Sequence, residues 1–97
     1  MFTPSVIIYA EIVADVQYTV SCTSTLNMRI SIRSGGHSYE KYSTAGAIVV
    51  DITNLNQIDI DLTAKTAVIG AGNRLGPIYY ALSQAGFLIP AGSCLTV

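Results

Sequence analysis

Two short apolar runs, VIIY at 6–9 and RISIR at 29–33, bracket a segment whose apolar residues recur every four positions. Val6 to Tyr9 is β-branched and reads as a strand, and Arg29 to Arg33 alternates as a half-buried strand does. Between them, Glu11 to Ser24 carries Ile12, Val16 and Val20 on one helical face with Val13 beside them. Glu11 and Asp15 fall in the first turns, where the helix dipole favours negative charge. Cys22, near the end of that helix, reads as a buried structural thiol. Strand, helix, strand at this spacing predicts a βαβ unit, a parallel pair with a right-handed crossover. No all-helical or all-β fold fits that opening.

The rest of the chain adds a different rhythm. Residues 34–46 are rich in Gly, Ser and Tyr and predict a loop. Ala47 to Ile52 is continuously apolar, the pattern of a strand buried on both faces. Ile58, Ile60 and Leu62 alternate with Asp59 and Asp61 in a half-exposed strand, a turn follows at Thr63 to Lys65, and Ala67 to Gly70 supplies the hairpin partner. Leu75 to Ala85 returns to helical spacing, with Pro77 in the first turn and Gly86 at the C′ position. Phe87 to Ile89 predicts a short strand. The sum is an α+β (α/β-like) fold: a βαβ unit, a hairpin and a second helix around a mixed sheet.

Ninety-seven residues make at most one small domain. Only 11% are charged and 51% are hydrophobic, against roughly 25% charged in ordinary globular chains. A small fold exposes a large share of its area, and so few charges cover it poorly. No run approaches the roughly 20 apolar residues of a spanning helix. The expectation is therefore a piece of a larger protein, with further chain covering one face. Five basic and six acidic residues are scattered singly, with no basic stripe for nucleic acid. The start lacks a basic n-region, and Glu11 and Asp15 interrupt its apolar part, so it does not read as a secretory signal.

Three stretches have the residue types for chemistry. In RSGGHS at 33–38, consecutive glycines free the backbone to turn several N–H groups towards one point, an anion-binding nest for which pyrophosphate is the usual large guest. Ser34 and Ser38 add hydroxyls, and Arg33 adds charge or ends the strand. The other reading is a plain Gly-Gly turn with a solvated His37, the chain's one histidine. GAGNRLG at 70–76 follows a strand and opens a helix, as a dinucleotide fingerprint does. Its spacing is GxGxxxG, and no acidic residue follows Asp61 to hold a ribose, so tight-turn glycines explain it better, and Arg74 is set aside. Cys94, in a small, flexible AGSC loop, is either a reactive or an inert thiol. One His and one Cys, with the nearby carboxylates ill-placed, fall short of a metal site, and a Cys–His nucleophile pair lacks an orienting group and an oxyanion hole.

Read together, PSVI at 4–7, EIVADVQ at 11–17, RSGGHSYE at 33–40, VDITNLN at 50–56, GAGNRLGP at 70–77 and IPAGSCLTV at 89–97 are similar to one family. The chain resembles the flavin-binding segment of FAD-linked oxidases of the berberine bridge enzyme and glucooligosaccharide oxidase type, in the vanillyl-alcohol oxidase or PCMH superfamily. The resemblance implies a partial PCMH-type FAD-binding domain over 1–97, without the second FAD lobe and the substrate domain. It implies FAD attached twice in many members, by a histidine to the 8α carbon and by a cysteine to C6, which map onto His37 and Cys94. Ser34, Gly35, Gly36, Ser38, Gly92 and Ser93 would cradle the cofactor, with Arg33 beside them. It further implies hydride transfer from a substrate C–H (sugar, alcohol or alkaloid) to the flavin, which dioxygen usually reoxidises to hydrogen peroxide. Members are often secreted. The alternatives are a non-catalytic, truncated FAD-binding subdomain and a nicotinamide-binding module built on GAGNRLG. No catalytic base is assigned, and Tyr39, Tyr42, Tyr79 and Tyr80 read as packing residues.

Overall fold

The computed structural model describes residues 3–97. Strand β1 (Val6–Tyr9) leads into helix α1 (Val13–Thr25), then β2 (Ile30–Arg33), a single 3₁₀ turn at Tyr42–Thr44, and β3 (Ile48–Asp51). The hairpin strands β4 (Ile58–Asp61) and β5 (Thr66–Ile69) follow, then helix α2 (Leu75–Gln84). Asp15 shapes the start of α1: its Oδ2 accepts from the amides of Glu11 (2.9 Å) and Ile12 (3.2 Å). Both helices end in the same way. The Met28 amide donates to Thr23 and the Phe87 amide to Leu82, each closing over a left-handed residue, Asn27 (φ 52°) or Gly86 (φ 83°). Gly86 is thus the C′ residue that the sequence indicated.

Parallel and antiparallel pairing both occur, in two separate sheets rather than one mixed sheet. β1, β3 and β2 form a parallel sheet in that order, and β4 pairs only with β5. β1 and β2 are parallel as expected, but β3 lies between them and pairs with both. The reason is burial. β3 is the most buried strand, and its Val49 and Val50 are the largest side chains fully out of solvent, as befits the central place. Phe87 to Ile89 forms no strand. Its side chains instead line a pocket with Ile60, Ala67 and Leu82.

α1 turns an unexpected face to the sheet. Thr19 and Thr23 are buried, while Ile12, Val13 and Val20 are exposed and only Val16 packs on the core of Ala10, Val50 and Ile52. The threonines bury cheaply because their hydroxyls donate back to the carbonyls of Asp15 (2.7 Å) and Thr19 (2.9 Å), leaving a methyl to pack. Cys22 is also exposed and is not the buried thiol expected at that position.

Candidate functional site

The three parallel strands end in register: Tyr9, Asp51 and Arg33 are paired neighbours. Open parallel sheets bind ligands outside this carboxyl edge. Three segments meet here: the 33–38 loop after β2, the β5–α2 turn at 70–76, and the 92–97 loop.

The 33–38 loop has the features of an anion cradle. Gly36 has φ 74°, a left-handed conformation that turns successive amides to one side. Among the described residues, the amides of Gly35, Gly36 and His37 donate to no protein acceptor. Arg33 lies beneath, 3.9 Å from the Asp51 carboxylate, and a methyl on Gly36 would sit 3.3 Å from its Nε. Asp51 is almost wholly buried. Burial pushes its carboxyl up, but bonds from the Thr53 hydroxyl and amide and the charges of Arg33 and Arg74 outweigh this and hold it below its ordinary value. One buried carboxylate thus lies beside the Arg33 guanidinium, with the charge of Arg74 also acting on it.

The serines serve differently. Ser34 donates its hydroxyl to the Ala71 carbonyl (2.6 Å), tying the loop to the β5–α2 turn. The Ser38 hydroxyl accepts from the Tyr42 amide (3.2 Å) and shapes its own loop. His37 is exposed, and its ring borders Gly35: a methyl there would lie 3.1 Å from His37 Cδ2 and 3.3 Å from the Thr96 carbonyl oxygen. The histidine loop therefore packs directly on the segment that follows Cys94.

Gly92, Ser93 and Cys94 are all exposed on the 92–97 loop. The Thr96 hydroxyl lies 3.2 Å from Cys94 Sγ. That hydroxyl, then the Thr96 and Val97 amides, draw the thiol below its ordinary pKa against a small opposing effect of burial. The Tyr79 hydroxyl donates to the Gly92 carbonyl, so this tyrosine is an anchor of the site loop rather than plain packing.

The β5–α2 turn clasps both loops. The amides of Leu75 and Gly76 donate to the carbonyls of Val97 (2.9 Å) and Leu95 (3.0 Å). Arg74 Nη1 donates to Thr96 O (2.9 Å) and, at 3.5 Å, to Gly35 O. The first amides of α2 are thereby satisfied and the third helical residue, Pro77, has none. A helix N-terminus holds phosphate through such amides, and here they are occupied. Gly70 and Gly72 answer to packing: a methyl on either would collide with the backbone of the turn after β3, at Leu55 for Gly70 and at Ile52, Thr53 and Leu55 for Gly72. Arg74 and Tyr79 were the residues that sequence reasoning passed over. A lone cation between a strand and a helix was the one signal for Arg74.

Free amides in a left-handed turn beside the Arg33 guanidinium fit an anionic ligand. A family model described as an FAD binding domain matches residues 4–97, and the chain belongs to that family. Reticuline oxidase of Papaver somniferum is 42% identical over 101 residues, which cover 97% of this chain and 18% of that protein. Berberine bridge enzyme-like 2 of Arabidopsis thaliana is 40% identical over 101 residues, with the same two shares. Among solved structures, wild-type BBE-like 1 of Physcomitrella patens superposes with a TM-score of 0.85 at 47% identity, covering 94% of this chain and 21% of that one. The chain spans between 12% and 19% of the length of the curated relatives it matches. It is an FAD-binding segment of a family of FAD-linked oxidoreductases, similar to berberine bridge enzyme-like proteins.

Proposed function

We propose that residues 1–97 are the flavin-anchoring part of an FAD-linked oxidoreductase whose second FAD lobe and substrate domain lie in further chain. His37 bonds the 8α carbon of the isoalloxazine and Cys94 bonds C6. The observation that carries this reading is the contact at Gly35, where the His37 loop meets the Thr96–Val97 backbone. Arg33 and the Gly35, Gly36 and His37 amides receive the pyrophosphate, with Ser34, Ser38, Gly92 and Ser93 forming the walls. When bound, FAD supplies the two-electron oxidant that takes hydride from a substrate C–H, and dioxygen is the usual final acceptor. Each covalent link replaces one cofactor C–H and one N–H or S–H with a C–N or C–S bond. The two protons and two electrons released leave on dioxygen as hydrogen peroxide.

The chain's own residues position and tether. The lowered Cys94 pKa raises the thiolate fraction at neutral pH, and thiolate is the nucleophilic form. No group here is assigned the abstraction of a substrate proton, and this length of chain by itself is expected to hold flavin without turnover. The satisfied N-terminus of α2 argues against a nicotinamide dinucleotide on GAGNRLG.

The test is denaturation and acid precipitation of the purified protein expressed with FAD. Flavin is expected in the pellet. His37→Ala and Cys94→Ala should each leave a single link, and the double variant should release all flavin to the supernatant. Flavin found only in the supernatant for the unaltered chain rules out covalent attachment.

A further inference from the structure

We propose that Arg74 is a positioning residue that sets the spacing between the two attachment loops, and so decides whether the second covalent link forms. The proposal rests on the attachment reading above. Each loop is separately tied to the β5–α2 segment: the His37 loop through the Ser34 hydroxyl on Ala71, the Cys94 loop through the Leu75 and Gly76 amides on Val97 and Leu95. Among the described residues, Arg74 is the one side chain that donates to both loops. One nitrogen, Nη1, reaches the Thr96 carbonyl at 2.9 Å and the Gly35 carbonyl at 3.5 Å.

That placement has a physical purpose. Two carbonyl oxygens that converge on one point repel each other unless a cation lies between them. The guanidinium is always charged and presents several fixed donors. Arg74 is also the N-cap of α2, in extended backbone (φ −95°, ψ 162°), and its side chain makes no cap bond, so it is free to reach outwards. The two carbons to be bonded belong to one rigid ring system. The first bond tolerates a loose loop, because the cofactor can follow it. The second requires the other nucleophile to arrive at a fixed distance from the first, and it is therefore the bond that Arg74 controls.

The experiment compares the unaltered chain with Arg74→Met, which keeps the length and removes the charge, and Arg74→Lys, which restores a cation. Mass spectrometry of flavin-bearing peptides counts single and double links. Arg74→Met is expected to keep one link and to lose about tenfold in the doubly linked fraction, as befits a lost bond from a charged donor. Arg74→Lys should recover much of it. A doubly linked fraction equal to that of the unaltered chain in Arg74→Met overturns the proposal. If the unaltered chain takes up no covalent flavin, the attachment reading has failed, and hydrogen exchange then judges Arg74 without any cofactor. The Leu75 and Gly76 amides should exchange about tenfold faster in Arg74→Met, while those of Val49 and Val50 stay as they were. Unchanged exchange at Leu75 and Gly76, or equal acceleration at all four, overturns a local clasp.

Discussion

Cys94 is exposed, yet its thiol is drawn towards ionisation by the Thr96 hydroxyl first, and then by the Thr96 and Val97 amides. Alkylation of Cys94 should therefore reach its half-maximal rate at a lower pH than that of an unperturbed cysteine. Thr96→Val should move that midpoint back up, and an identical profile in both proteins would remove the hydroxyl from the account. His37 and Cys94 stood out in the sequence because imidazole and thiol are rare here and sit among glycines. Arg74 did not, because its meaning lies in two carbonyls far along the chain, and a sequence displays side chains rather than the backbone groups they will meet. Ser34 was legible as a hydroxyl near the site, though not as a strut, since its acceptor is a carbonyl 37 positions away.

At the scale of elements, the glycines of 70–76 are the sharpest case. Gly72 touches the carbonyls of the turn after β3, and a methyl there has no room. Gly72→Ala should cost about 3 kcal/mol by overpacking against backbone that cannot move aside, read as a lower urea midpoint. A cost within about 0.5 kcal/mol, typical of a surface change, would contradict the close approach. Both helices, the hairpin and the three strands of the parallel sheet were legible, because period and turn chemistry declare an element's type. What pairs with what was less so. Nothing local in VIIY or ISIR says that a third strand will separate them. α1 deceived for another reason: its apolar stripe is real, but Thr19 and Thr23 satisfy their own hydroxyls and take the buried side beside Val16, so Val13 and Val20 are left facing water. Phe87 to Ile89 had the composition of a strand, yet it pairs with no sheet edge and lines a pocket with Ile60, Ala67 and Leu82 instead.

Across the whole molecule, the chain is a slab of 46 × 28 × 16 Å with a radius of gyration of 15.5 Å, against roughly 12–13 Å for a compact domain of this length. The core is correspondingly thin. Tyr9, Val13, Tyr18 and Val20, on β1 and α1, are all exposed. Val13→Lys in the isolated chain should change stability by less than about 0.5 kcal/mol and reduce self-association, both measurable by urea titration and light scattering. A large destabilisation would mean that this face is already packed. The central position of β3 has a consequence for how the molecule is made. Emerging from a ribosome, β1 and β2 have no hydrogen-bonding neighbour until β3 has been synthesised, so the opening strand–helix–strand must wait as a helix flanked by unpaired strands. Ile30 meets Ile48 across 18 positions, Val6 meets it across 42, and the longer closure costs more chain entropy, by roughly 0.7 kcal/mol. β2 therefore docks on β3 before β1 does, although β1 precedes it along the chain.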